Sequence, residues 1–335
     1  MQSINELNKA EIESFQNDVV AADSPAVIRS LVEDWPAVIR GRGSAADICR
    51  YIEGLDDEKL VYTIAAPPEA GSRFFYSEDL RSLNFKRGQI PLRQVLAQLL
   101  AQVGATEAHS IAVQSLPVRE ILPGFERQNP VPLLDQSIEP TMWIGNQGKV
   151  APHYDVHRNL ACVVAGRRRF TLFPPEQVEN LYPGPELGAP GGVPDSLVNV
   201  WSPELEKFPR YAAALEVAQE TVLEPGDAIY IPSLWWHAVE SLESVNVLVN
   251  YWWGGINQHG VSPNDSLLHG MLTIAGLDKT QRRAWRDFFD YYVFRSGENP
   301  GEHLPDGLHD IVTSMSPEQV ESVRQFLAQK LLKSG

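Results

Sequence analysis

The chain has 335 residues, 43% hydrophobic and 21% charged, so a sizeable core is available and disordered or fibrous classes do not fit. Its formal charge of −15 argues against sequence-independent nucleic-acid binding, which needs a basic surface, and suits a neutral or basic partner. Two cysteines, Cys49 and Cys162, leave no disulfide scaffold or cysteine-based zinc site.

The first residues lack the basic and apolar regions of a signal peptide. No apolar stretch approaches the ~20 residues of a spanning helix, so no membrane association is expected and the expected compartment is the cytoplasm. Ile12, Phe15 and Val19 share one stripe, which predicts a helix over about Asn8–Ala22. Ser24–Arg29 reads as a short strand and Asp34-Trp35-Pro36 as a turn. A helix is expected over Ser44–Glu53, a strand over Lys59–Ala65, a helix over Pro91–Val103 and a strand over Ile111–Leu116.

From Thr141 to Trp253 the pattern changes to short strands between turn residues: Thr141–Gly145, His153–Ala165, Arg168–Phe173, Glu220–Leu223, Ala228–Ile231 and Val245–Trp252. Such a run predicts a β-sandwich or barrel. Tyr182–Pro194, with four prolines and four glycines, is a loop suited to serve as a surface lid. Helical patterns return at Ser266–Ala275, Lys279–Phe294 and Pro317–Leu332. The stripes Trp285, Phe288, Phe289, Tyr292 and Val320, Val323, Leu327, Leu331 suit either packing against the barrel or a homodimer interface. The organisation expected is a domain over 1–262, including its N-terminal decoration, and a helical dimerisation region over 263–335.

The chemistry concentrates in His153-Tyr154-Asp155 and in His237, which closes Gly226-Asp227-x-x-x-x-Pro232-x-x-x-x-His237. In a strand, residues two apart share a face, so His153 and Asp155 can reach one metal, and a second strand ending at His237 can supply a third ligand. Two imidazoles and one carboxylate on one face leave three octahedral positions open, the arrangement suited to non-haem Fe(II). His157, four residues on, reads as a barrel histidine or a group near the metal. His109, His259, His269, His303 and His309 have no ligand-like context.

In chain order, Trp143–Gly148, Pro152–Asp155, Asn159, Gly166, Phe173-Pro174-Pro175, Leu181-Tyr182-Pro183, Pro225-Gly226-Asp227, Tyr230-Ile231-Pro232, Trp235-Trp236-His237 and Val249–Trp252 resemble the JmjC/cupin-8 Fe(II)/2-oxoglutarate-dependent oxygenases. Among that family it resembles the asparaginyl hydroxylases. The motif-bearing part covers about Thr141 to Trp253, with Pro25–Arg29 and Trp35-Pro36 similar to an upstream segment. The resemblance implies a mainly β fold with flanking α: a double-stranded β-helix (jelly-roll, cupin) core, N-terminal α/β elements and a C-terminal helical tail. It implies hydroxylation with Fe(II) held by His153, Asp155 and His237, and with 2-oxoglutarate oxidatively decarboxylated to succinate. It also points to a homodimer through the C-terminal helices.

In this family a lysine fifteen residues after the first histidine commonly binds the distal carboxylate of the cosubstrate; here that position is Arg168, whose planar fork suits a carboxylate. Strand alternation turns Arg168 to the face opposite Arg167 and Arg169. Asn159 and Asn250 match positions lining the cosubstrate site. The chain departs from the family at Val150-Ala151-Pro152, where a hydroxyl often precedes the first ligand, and at Ala112, where a tyrosine stands; Thr141 could supply the missing hydroxyl. The substrate is expected to be a protein side chain or a small molecule. Two rival readings use the same residues: a non-catalytic ligand- or protein-binding barrel, and a cupin metalloenzyme that does not use 2-oxoglutarate.

Overall fold

The computed structural model describes the chain except residues 10, 11, 13, 106, 186, 187, 257–259, 296, 298, 299, 306–314, 334 and 335. It divides into two compact units, Met1–Gly254 and Gly255–Gly335. The first unit begins with strands β1 (Gln2–Ser3), β2 (Asn5–Asn8), β3 (Ala26–Arg29), β4 (Leu60–Ala66), β5 (Arg73–Phe74), β6 (Lys86–Pro91) and β7 (Ser110–Pro117). The core strands follow: β8 (Pro140–Gly145), β9 (Gly148–Tyr154), β10 (Arg158–Ala165), β11 (Arg168–Phe173), β12 (Gln219–Leu223), β13 (Ala228–Ile231), β14 (Trp236–Ser241) and β15 (Asn246–Trp253).

These eight divide evenly between two sheets. One sheet runs β1-β12-β11-β14-β9-β5 and the other β2-β3-β13-β10-β15-β8-β7-β4-β6. Four core strands in each sheet, with the chain crossing between sheets at every connection except β11 to β12, make the double-stranded β-helix. The N-terminal strands extend both sheets at their edges.

Between the sheets lie Val27, Ala161, Val163, Phe170, Leu172, Ile229 and Leu248. The other face of β10 carries Leu160, Cys162 and Val164, which pack with Val38, Ile48, Ile52, Val95 and Leu99 from the helices Pro36–Gly43, Ala45–Glu53 and Leu92–Ala101. Burial on both faces explains why β10 reads as a continuous apolar run instead of an alternating one. Both cysteines are free and buried within this packing.

The helix Pro36–Gly43 lies so close to β10 that a Cβ at Gly41 would stand 2.2 Å from the Val164 carbonyl oxygen. Gly41→Ala is therefore expected to destabilise the fold by ~1–3 kcal/mol through overpacking. Urea unfolding monitored by circular dichroism checks this, and an unchanged midpoint would contradict it.

Three expectations are corrected. The helix expected over Asn8–Ala22 is a strand to Asn8, a helical turn Phe15–Asp18 and a 3-10 turn Val20–Ala22; residues 10, 11 and 13 of that span lie outside the described residues. Ser14 fixes the later start, its hydroxyl accepting from the Asn17 amide as an N-cap. Trp35-Pro36 is not only a turn, because Pro36 opens a helix at the position where its missing amide proton costs nothing. The single strand expected over His153–Ala165 is two strands, β9 and β10, which belong to opposite sheets and are separated at 155–157.

In the second unit the helices are Pro263–Thr273, Lys279–Phe289 and Pro317–Lys333, with a π-turn at Asp290–Phe294. Trp285 (47%), Phe288 (57%) and Tyr292 (50%) remain exposed, as do Val323, Leu327 and Leu331. No described helix is long and apolar enough to cross a membrane.

Candidate metal centre

β9 and β14 are antiparallel neighbours, and their register sets His153 directly opposite His237. Cross-strand partners share a face, and the two rings stand 4.3 Å apart between centroids. His237 is the second residue of its strand rather than the last. Asp155 lies just past the end of β9, so its place beside His153 comes from the turn and not from strand alternation. Its carbonyl accepts from the Leu234 amide (2.8 Å), with Leu234 itself in the left-handed region at φ 65. Strained backbone of this kind persists where the surroundings over-determine it.

One ligand atom from each of His153, Asp155 and His237 lies within 4.8 Å of the others. Each histidine donates its Nδ1 proton to a backbone carbonyl two residues back, His153 to Ala151 (2.9 Å) and His237 to Trp235 (3.0 Å). Both bonds fix the tautomer that leaves Nε2 free as a ligand. Burial, reinforced by His153, lowers the His237 pKa, which keeps the imidazole neutral and ready to bind a cation. The Trp252 indole donates to Asp155 Oδ2 at 3.2 Å and orients the carboxylate. Two imidazole nitrogens and one carboxylate oxygen fit a divalent first-row metal with open positions.

Gly226-Asp227, in contrast, serves the fold. Asp227 pairs with Arg29 (2.7 Å) and accepts from the amides of Ser30 and Glu224, pinning the turn into β13 against β3.

The triad opens on a cavity of about 240 Å³ between the sheets, walled in part by Phe74, Phe85, Trp143 and Trp252. Arg168 lines it, 8% exposed, with its Nε unpartnered among the described residues. Burial lowers its pKa to about 10, so it remains a cation at neutral pH. Its neighbours turn outward: Arg167 pairs with Glu243 (2.7 Å) and Arg169 with Glu240 (2.5 Å).

On the facing sheet, Asn250 donates to Asn159 at 2.7 Å, and both line the cavity. Asn159 thus comes from the sheet opposite His153, not from the same strand face. Thr141 pairs with Asn250 across β8 and β15 but is not among the cavity-lining residues. The polar groups there that sequence reasoning missed are Gln114 and Ser115 of β7, and Asp195. Asp195 follows the Pro/Gly-rich loop, whose Pro190 and Gly191 also line the cavity. Burial pushes its carboxyl up to about 7, against the opposing pull of His153 and Arg73. No local pattern marks these three, because their meeting depends on which strands and loops converge.

His157 sits in the turn at 155–157, outside both the metal group and the cavity lining. His259 and His309 lie outside the described residues.

A family model described as a cupin-like domain matches residues 12–259. A lysine-specific demethylase of Arabidopsis thaliana is 39% identical over 112 residues, 33% of this chain and 20% of that protein. HSPB1-associated protein 1 of Homo sapiens is 40% identical over 116 residues, 34% of this chain and 23% of that protein. Lysine-specific demethylase 8 of Xenopus tropicalis is 25% identical over 257 residues, 75% of this chain and 53% of that protein. The chain therefore spans between a fifth and about half the length of these relatives.

Proposed function

The chain belongs to the cupin-like domain family, and from that premise we propose that it is an Fe(II)- and 2-oxoglutarate-dependent oxygenase that hydroxylates a protein side chain or a small molecule. The observation that carries this reading is a buried guanidinium, Arg168, whose Nε has no partner among the described residues, on the same cavity as a two-histidine, one-carboxylate group. A buried cation without a partner is costly unless a ligand completes it.

His153, Asp155 and His237 would hold Fe(II), which when bound supplies oxygen activation coupled to decarboxylation of the cosubstrate. Arg168 binds the distal carboxylate of 2-oxoglutarate. Counting registered pairs, Leu172 faces His237 and Arg168 faces Ser241, four residues along the strand. That is roughly 13 Å between backbones at the usual strand rise, a gap that an arginine side chain and a five-carbon diacid can bridge together. The Asn159–Asn250 pair forms a polar wall on the facing sheet, and Trp252 keeps the Asp155 carboxylate in place. The aromatic walls limit water around the metal.

Succinate formation from 2-oxoglutarate with Fe(II), without added substrate, tests the reaction. Slow uncoupled turnover is expected. Its absence would favour a binding barrel or a metalloenzyme that does not use 2-oxoglutarate. Two relatives are named lysine-specific demethylases, which makes N-methyl groups of lysine a further candidate substrate, and release of formaldehyde would distinguish demethylation from stable hydroxylation.

The helices of the second unit are proposed to mediate a homodimer. Their exposed Trp285, Phe288, Tyr292, Leu327 and Leu331 favour burial against a partner, and closed two-fold association is the commonest solution. Light scattering at micromolar concentration is expected to give twice the chain mass, and Phe288→Asp with Leu327→Asp to give monomer. A monomeric wild type would sink this assignment. The cytoplasm is the compartment proposed.

A further inference from the structure

Asp195 has no part in the chemistry proposed above. It is 2% exposed and lines the cavity that holds the metal group. Its backbone is well anchored: the carbonyl accepts from Gly184 (2.8 Å) and the amide donates to the Tyr76 hydroxyl (3.4 Å). Its carboxylate, among the described residues, receives no hydrogen bond and forms no ion pair. Arg73 is a cation whose field reaches it. Arg73 instead stacks over the Phe75 ring at 3.5 Å, with its Nε and Nη2 buried and without a partner among the described residues.

A structural role at the metal does not account for Asp195. Both histidines already give their Nδ1 protons to backbone carbonyls, so neither needs a carboxylate to orient it. Nor does Asp195 belong to the group whose ligand atoms lie within 4.8 Å of one another. A buried carboxylate without donors is costly, and a fold keeps one where an incoming group completes it.

We propose that Asp195 is a specificity residue that selects substrates by a cationic group, an ammonium or guanidinium, admitted to the cavity between the metal ligands and the Pro/Gly-rich loop. The reaction part of this assignment rests on the oxygenase reading; the binding part does not. The walls agree with it, since Phe74, Phe85, Trp143 and Trp252 line the same cavity and aromatic rings suit a cation and its aliphatic stem. The charge of −15 also draws basic partners toward the surface.

The test uses capped pentapeptides with a central arginine or lysine, paired with neutral isosteres carrying citrulline or norleucine. Binding to the full chain is measured by anaerobic calorimetry, with and without Fe(II) and 2-oxoglutarate. At least one cationic peptide is expected to bind about tenfold or more tightly than its isostere, as a charge-assisted bond to a buried carboxylate implies. Asp195→Asn should erase that ratio, and Asp195→Glu should retain it.

Asp195→Asn should also melt at or above the wild-type temperature, because it removes a buried carboxyl group that has no hydrogen bond or ion pair among the described residues. A structural ion pair would show the opposite sign. The proposal is overturned if no cationic peptide outbinds its isostere, if Asp195→Asn keeps the preference, or if that variant melts clearly lower. Absence of succinate formation with the preference intact would remove the oxygenase reading and leave this site standing.

Discussion

Alanine in place of His153 or His237 is expected to abolish turnover and lower Fe(II) affinity by more than a hundredfold, while the chain still folds. The two imidazoles are presented as ready ligands, each with its Nδ1 proton committed to a carbonyl and its Nε2 within reach of Asp155. Changes to groups that merely support ligands cost about 10–100-fold in metal affinity, so loss of a ligand should cost more. The fold is expected not to depend on the metal, because the apolar layer between the sheets and the helix-covered face of β10 supply a core of their own. Anaerobic Fe(II) titration with parallel melting curves measures both parts. Unchanged affinity in an Asp155→Ala, His237→Ala double variant would eliminate the assignment.

The second large effect is expected at Arg168. Removing one partner of a buried charge pair typically costs about 2–5 kcal/mol, since the other charge stays desolvated. Arg168→Ala should therefore raise the apparent 2-oxoglutarate constant at least tenfold, with Fe(II) affinity little changed. Arg168→Lys should recover part of the loss through its charge but not its bidentate geometry. Arg167→Ala should change the constant much less, because Arg167 is exposed and already paired with Glu243. Equal effects from Arg167 and Arg168 would mean that the distal carboxylate is bound elsewhere.

Much of this architecture was legible in the residues. The run of short strands after Thr141, broken by glycine and proline, points to a β-barrel because that alternation suits strands buried on one or both faces. The C-terminal helices announce themselves through helical spacing and the Ser316-Pro317 start. Arg168 is separable from Arg167 and Arg169 because strand side chains alternate with a period of two, and that property belongs to the chain itself.

The same period misleads where the strand ends. His153 and Asp155 do lie together, yet Asp155 is held by the turn and its bond to Leu234, not by strand parity. Asn159 reaches the cavity from the sheet opposite His153, because the chain crosses between sheets at 155–157. Thr141 matches the register of Asn250 but lies off the cavity lining, where Ser115 of another strand stands instead. Asp195 carried no signal at all.

What the sequence determined by itself is what depends on local spacing: the β-rich core, the helical tail, the inward turn of Arg168 and the candidate ligands. What the tertiary structure decided is which distant residues share one cavity. That follows from the pairing of β9 with β14 and of β10 with β15, from the crossing between sheets, and from a loop that brings Asp195 into the same cavity as the candidate ligands. Periodicity along a chain has no access to such meetings, because they are fixed by which strands exchange hydrogen bonds and bury their faces together.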